Sequence, residues 1–108
     1  MSYLVKTLLP FERAAKTLIK KYPSLAGKLR QLRQTLANEP TTGKSLGRNC
    51  YKVRLAIENK GKGRSGGARV ITYVAVVQQE VVLLTIFDKN EREDLGPNEL
   101  KGLLSSLE

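Results

Sequence analysis

The sequence predicts an α+β domain, in which a small antiparallel sheet, a β-meander, is packed by an N-terminal helical hairpin and a C-terminal helix. Three observations predict this fold. Two segments with apolar residues at helical spacing come early in the chain and meet at a proline. Three segments rich in β-branched residues follow them. The 108 residues suffice for one domain, covering 1–108, and not for two.

The N-terminal part predicts a short strand and two helices. Residues 3–9 are mostly apolar and predict a strand or extended lead-in that Pro10 ends. Within residues 11–22 the apolar side chains recur every three or four positions, which predicts the first helix. The second helix is predicted over residues 25–37, where four leucines share one face. The turn-forming composition of residues 38–43 then predicts a loop.

The first strand of the meander is predicted from an alternating pattern. Apolar and polar side chains alternate over residues 50–58, which predicts a half-buried strand with Lys52 and Arg54 on its polar side. By the same alternation Cys50 lies on that polar side, and we expect it to be partly exposed.

The rest of the meander and a closing helix follow. Residues 59–67 contain four glycines and three basic residues, which predict a hairpin loop. Residues 68–77 and 81–87 predict two strands joined by a tight turn. Leucines at helical spacing predict a helix over residues 97–107. We expect the helices to cover one face of the sheet.

The composition excludes several classes of chemistry. The chain has one cysteine and no histidine, so it has no intramolecular disulfide, no zinc site of Cys/His type and no nucleophile–histidine dyad. The acidic stretch 88–94 lacks the spacing of an EF-hand, and we expect no metal and no other cofactor. No apolar window is long enough to span a membrane and no secretory signal is evident, so we expect a cytoplasmic protein without a membrane partner.

The charge is large and unevenly distributed. The net charge is +9, and residues 1–76 hold 16 basic and three acidic side chains, whereas residues 77–108 hold three basic and seven acidic ones. A basic body with an acidic end indicates a polyanionic partner. A soluble protein whose basic surface is merely solvated is the alternative.

The basic residues concentrate around the first two strands of the meander. Lys52 and Arg54 are two positions apart on one strand and share a face, and Arg69 opens the next strand, so the three side chains can converge. Such a cluster is destabilising unless an anion binds, and Arg and Lys are the residues that bind phosphate. We therefore predict nucleic-acid contact, with these further contributors: Lys44, Arg48, Lys60, Lys62 and Arg64.

Cleavage of RNA is the more specific hypothesis. Attack of a 2′-hydroxyl on the adjacent phosphate needs a proton acceptor, a proton donor and positive charge for the developing phosphorane. In a chain without histidine, Lys52 is the candidate base or phosphate ligand, and Arg54 and Arg69 would stabilise charge. Tyr73 has the strand parity of Arg69 and could stack on a base, although by pattern alone such a residue is more often a core residue.

Several short motifs in a fixed order resemble the RelE/ParE superfamily of bacterial toxins. They are the segments LANEP at 36–40 with Gly43, CYKVRL at 50–55, GARVI at 67–71 and LTIFDKNE at 84–91. The resemblance spans roughly residues 10–104, and the basic, glycine-rich insert before Gly67 looks more like that of HigB-type members than like RelE itself. It implies the compact toxin fold similar to microbial RNases.

The resemblance to the RelE and HigB branches also implies an activity. A chain of this kind is the toxin of a type II toxin–antitoxin system, a metal-independent mRNA endonuclease (mRNA interferase) that acts on the ribosome and blocks translation. Its partners are a cognate antitoxin, the ribosome and mRNA. The two basic strand residues of the RelE motif fall on Lys52 and Arg54, and its hairpin arginine falls on Arg69.

Two motif positions differ from the RelE pattern. The arginine that follows the last strand falls near Asn90, where Lys89 or Arg92 could replace it in RNA binding. The C-terminal tyrosine falls near Gly96, which leaves its role unfilled. Two alternatives stay open: a ParE-like toxin that inhibits gyrase without nuclease activity, and an inactive RNA-binding member of the superfamily.

Overall fold

The structure is a computed structural model that describes residues 2–57 and 67–107. The described residues form five strands and three helices. In chain order the elements are β1 (Leu4–Thr7), α1 (Leu9–Lys21), α2 (Leu25–Asn38), β2 (Lys44–Gly47), β3 (Cys50–Leu55), β4 (Ala68–Ala75), β5 (Glu80–Asp88) and α3 (Glu99–Ser105). Most of the predicted hairpin loop, residues 59–66, lies outside the described residues.

The strands form one mixed sheet in the order β1-β5-β4-β3-β2. Its centre is the predicted meander, since β3, β4 and β5 pair antiparallel with their neighbours. At one edge β1 runs parallel to β5. The sheet is therefore mixed, whereas the sequence predicted an antiparallel one. The predicted α+β fold with a helical hairpin and a closing helix is confirmed.

The opposite edge carries β2, a strand that the sequence did not predict. It is joined to β3 by the two residues Arg48 and Asn49, whose φ angles of 55° and 62° define a tight hairpin turn of type I′. Asn49 tolerates this left-handed backbone, whereas Arg48 adopts it less readily. The hairpin places Lys44 directly opposite Lys52.

The two long helices pack on one face of the sheet, called here the helical face. Along α2 the four predicted leucines are all buried: Leu25, Leu29, Leu32 and Leu36. They pack with Phe11, Ala15 and Leu18 of α1 against residues of the sheet that include Val53, Val70 and Leu83. Helix α1 begins earlier than predicted, at Leu9, because Pro10 lies in its first turn, where a missing N–H breaks no helical hydrogen bond.

The other face of the sheet has a second, smaller core under α3. Here Leu103 of α3 packs against residues that include Cys50, Ile71 and Leu84. The prediction that the helices cover one face is therefore wrong, and so is the expected partial exposure of Cys50, which is 0% exposed. Burial raises the pKa of the Cys50 thiol. None of the helices in the described part of the chain could cross a membrane.

Candidate nucleic-acid interface

Four basic side chains meet on the face of the sheet that α3 only partly covers. Residues directly opposite one another on antiparallel strands point to the same face, and Lys44 is opposite Lys52 while Arg54 is opposite Arg69. All four line one cavity of about 220 Å³, called here the basic cavity. The structure thus brings together the predicted trio and Lys44 from three neighbouring strands.

Gly43 forms part of the wall of the basic cavity and allows β2 to lie close to β3. Its φ angle is 106°, a conformation that L side chains rarely adopt. A Cβ atom added there would lie 2.6 Å from the carbonyl oxygen of Lys52, which is inside the contact distance. A glycine at this position therefore helps to bring the Lys44 and Lys52 backbones together.

The two arginines of the basic cavity differ in exposure. Arg69 is only 6% exposed, and its Nη1 donates a hydrogen bond to the carbonyl oxygen of Ala68 at 3.2 Å. Arg54, its neighbour across the strands, is exposed. Guanidinium groups keep their charge when buried, and like charges opposite one another in a sheet are destabilising. An anion bound between them would relieve this repulsion and could accept hydrogen bonds from both.

One carboxylate reaches the basic cavity from outside the meander. The Nζ of Lys52 donates a hydrogen bond to Oδ2 of Asp94 at 3.2 Å. The pKa of Asp94 is lowered, first by the hydrogen bond from the Leu95 amide and then by Lys52, with a further contribution from Lys44. Sequence reasoning missed this contact because 42 positions separate the two residues. The only sign of this contact in the sequence was the contrast in charge between the basic residues 1–76 and the acidic residues 77–108.

The predicted RNA contacts outside the basic cavity are scattered. Tyr73 is half-buried and lines a different cavity with Leu104 of α3 and with Leu107, which follows that helix. Arg48 is exposed at the tip of the β2–β3 hairpin. Lys60, Lys62 and Arg64 lie outside the described residues.

Neither candidate after the last strand lines the basic cavity. The guanidinium of Arg92 lies 2.7 Å from Oε2 of Glu99 and stacks 4.7 Å from the centre of the Phe87 ring. The hydrogen bond with Glu99 raises the pKa of Arg92 and lowers that of Glu99. Lys89 is half-buried, and its backbone N–H donates to the carbonyl oxygen of Gly67 at 3.0 Å. Arg92 thus holds α3 and its preceding loop in place.

The described part of the chain contains no group of side chains that could serve together as metal ligands. Within residues 2–57 and 67–107 no three His, Cys, Asp or Glu side chains lie close enough to hold a metal ion. Three of the four acidic residues of the stretch 88–94, namely Asp88, Glu91 and Asp94, contact other groups instead. Asp88 accepts a hydrogen bond from the Tyr22 hydroxyl at 3.1 Å, and Glu91 lies 3.8 Å from Lys21.

The described elements and the basic cavity define a small α+β protein with a cationic site on its sheet. Similar folds occur among solved toxins. The chain is similar to a mutant of the toxin RelE from Escherichia coli in its free state, with a TM-score of 0.63, 17% identity and full coverage of both chains. It is also similar to a chain of the toxin–antitoxin complex RelBE2 from Mycobacterium tuberculosis.

That second comparison has a TM-score of 0.61 and 19% identity, and it covers 82% of this chain and 99% of the other. No model of a known protein family matches the sequence. The chain therefore has the fold of the RelE toxins, as the motifs of its sequence predicted.

Proposed function

We propose that the chain is the toxin of a type II toxin–antitoxin system and cleaves mRNA on the ribosome without a metal ion. The observation that carries the proposal is the basic cavity, where four cations from three strands face one space large enough for a phosphate group. The RelE fold independently supports the toxin role within this proposal, because the solved structures that share it are described as a toxin and a toxin–antitoxin complex.

The chemistry available in the basic cavity is electrostatic. Arg69 and Arg54 offer fixed donors to the oxygens of the scissile phosphate, and they would stabilise the extra negative charge of the phosphorane. Lys52 donates a hydrogen bond to Oδ2 of Asp94, and its Nζ can donate in the same way to a phosphate oxygen. The alternative role, base for the 2′-hydroxyl, requires that this nitrogen accept the hydroxyl proton.

The proposal includes three partners. A solved RelBE2 chain with this fold belongs to a toxin–antitoxin complex, which supports a cognate antitoxin for this chain. The ribosome and mRNA are the partners that translation-dependent cleavage requires, and both place the activity in the cytoplasm. Exposed cations outside the basic cavity, such as Arg48, would contact the RNA backbone and contribute to affinity.

Induced expression with mapping of mRNA ends by primer extension tests the proposal. The wild-type chain is expected to arrest growth and produce discrete cuts in translated mRNA. The double variant Lys52→Ala with Arg69→Ala is expected to lower cleavage at least about 100-fold, since it removes two stabilising charges from the phosphorane. The matched control is Lys20→Ala with Arg30→Ala, which removes two exposed cations from the helical hairpin and should cut like the wild type.

Two results would contradict the proposal in different ways. If the Lys52/Arg69 variant folds, as judged by circular dichroism, and still cuts mRNA like the wild type, the site is wrong. If the wild type arrests growth with a DNA-damage response and no mRNA cuts, the chain acts as a ParE-like inhibitor of gyrase. A chain that neither arrests growth nor cuts mRNA would be an inactive member of the superfamily.

A further inference from the structure

We propose that Asp94 is an internal counter-ion of the basic cavity, which an RNA phosphate must displace before it can bind to Lys52. This inference rests on the proposed function, since it concerns the regulation of the same site. Its starting point is the 3.2 Å contact between Asp94 and Lys52, which places one negative charge beside a cavity lined by four cations. A phosphodiester also carries one negative charge, so the two anions compete for the same lysine.

Contacts on both sides of Asp94 hold its loop against the body of the protein. On the N-terminal side, Arg92 stacks on Phe87 and pairs with Glu99. On the C-terminal side, the backbone N–H of Gly96 donates to Oε1 of Glu99 at 3.0 Å. The carboxylate is therefore presented to the basic cavity by an anchored segment.

The carboxylate itself is held loosely enough to exchange. Its Oδ1 accepts a hydrogen bond from the Leu95 amide at 2.8 Å, and its Oδ2 accepts one from Lys52. The Asp94 side chain is 55% exposed, whereas that of Lys52 is 20% exposed. An exposed ion pair of this kind is weak, so a phosphate that also contacts Arg54 and Arg69 can replace Asp94.

The exchange changes how binding responds to salt. A lysine that neutralises an RNA phosphate releases the cations condensed on that phosphate, and this release makes the affinity fall as the salt concentration rises. At Lys52 the phosphate also displaces the carboxylate of Asp94, which then takes up cations from solution and offsets part of that release. Asp94 is expected both to weaken RNA binding and to reduce its salt dependence.

The test is a fluorescence titration with the purified full chain and a labelled single-stranded 2′-O-methyl oligoribonucleotide of about ten nucleotides, which the chain cannot cleave. The variant Asp94→Asn removes the charge and keeps an oxygen for the Leu95 amide. It is expected to bind about three- to fivefold tighter than the wild type, as the loss of an exposed ion pair predicts. The slope of log affinity against log salt concentration should steepen by about 0.7, the value for one neutralised phosphate of a single strand.

The matched control is Glu93→Gln, which makes the same change of charge one position away. Glu93 is exposed and forms no ion pair within the described residues. It should change affinity less than about twofold and leave the slope unaltered, because its field is screened by solvent. If Asp94→Asn and Glu93→Gln behave alike in both readouts, the inference is overturned.

A third variant, Lys52→Ala with Arg69→Ala, distinguishes failure of the inference from failure of the proposed function. If this variant loses affinity while Asp94→Asn equals Glu93→Gln, the basic cavity binds RNA and only the role of Asp94 is wrong. If it binds as well as the wild type, or if no variant binds measurably, the proposed RNA site is wrong and the inference falls with it.

Discussion

One face of the sheet lies under two helices of 13 and 14 residues, whereas the other lies under a helix of only seven. The helical face is closed by a large, almost entirely apolar core. The second face is closed by α3 only around Cys50, Ile71 and Leu84, and its remaining part holds the basic cavity. The difference teaches that the hydrophobic core on one side supplies stability that lets the other side carry repelling charges.

Strand β3, which is six residues long, contributes side chains to both faces of the sheet. Val53 points into the core of the helical face, while Cys50, Lys52 and Arg54 alternate with it toward the second face. Of these three, Cys50 is covered by the small core, and the two cations lie beyond it. On one side this strand is buried in the large core. On the other side it contributes one residue to the small core and two cations to the basic cavity.

The largest expected effect is a loss of stability when the core of the helical face is opened. Leu36→Ala, at a residue that is 0% exposed, is expected to lower the free energy of unfolding by ~3–5 kcal/mol. The same change at Leu103 of α3, which is 8% exposed, should cost about 2 kcal/mol, since the short helix can settle into the space. Urea unfolding followed by circular dichroism measures both. An equal or larger loss for Leu103→Ala would contradict the proposed division of stability between the faces.

A smaller effect is expected at the glycines of the β2 edge, where stability and the basic cavity are coupled. Gly43→Ala should cost about 2 kcal/mol and weaken RNA binding, because its Cβ would clash with the Lys52 carbonyl and push the strands apart. Gly47→Ala has a similar φ of 83° but nothing within 4 Å of the added Cβ, so it should cost about 1 kcal/mol and leave binding intact.

Thermal unfolding and the oligonucleotide titration measure these two effects on the same samples. If both alanine variants lose stability equally and bind RNA like the wild type, the backbone contact at Gly43 does not shape the basic cavity.

The smallest effect is a gain of stability on the helical face. Thr72 is 0% exposed, and its Oγ1 has no hydrogen-bond partner among the described residues. By strand alternation it shares the helical face with Val70. Thr72→Val replaces the hydroxyl with a methyl group of similar size and is expected to stabilise the protein by about 1 kcal/mol. A lower midpoint in urea for Thr72→Val would show that the hydroxyl has a partner.

The sequence predicts those elements whose burial follows a simple period. The leucines of α2, from Leu25 to Leu36, recur at helical spacing because one face packs and the other is solvated. The edge strand β2 escaped prediction because Lys44–Gly47 is short and polar and its burial is slight. The parallel placement of β1 also escaped, since its four residues do not specify which strand they pair with.

Strand β5 shows a limit of the alternation argument. All but its first residue are buried, so hydropathy does not separate its two faces. In addition, Ile71 pairs with Thr85 and Thr72 with Leu83, so β5 has one extra residue at this point and the alternation shifts.

The candidate site was predictable where it depends on strand geometry and not elsewhere. Lys52, Arg54 and Arg69 meet because their positions share a face of a meander, which parity alone indicates. The Asp94 contact depends on the path of a loop, and the burial of Cys50 depends on where α3 packs. Neither is encoded in a local pattern. The catalytic and RNA-binding roles of these residues stay predictions.

The parallel pairing of β1 with β5 has a consequence for the order of folding. Val5 lies opposite Val81, so this contact closes a loop that spans most of the chain. The antiparallel pairs of the meander close much shorter loops, at a lower entropic cost. On a growing chain the N-terminal strand must wait until β5 has been synthesised, and until then that edge of β5 offers unpaired backbone groups to any other extended segment.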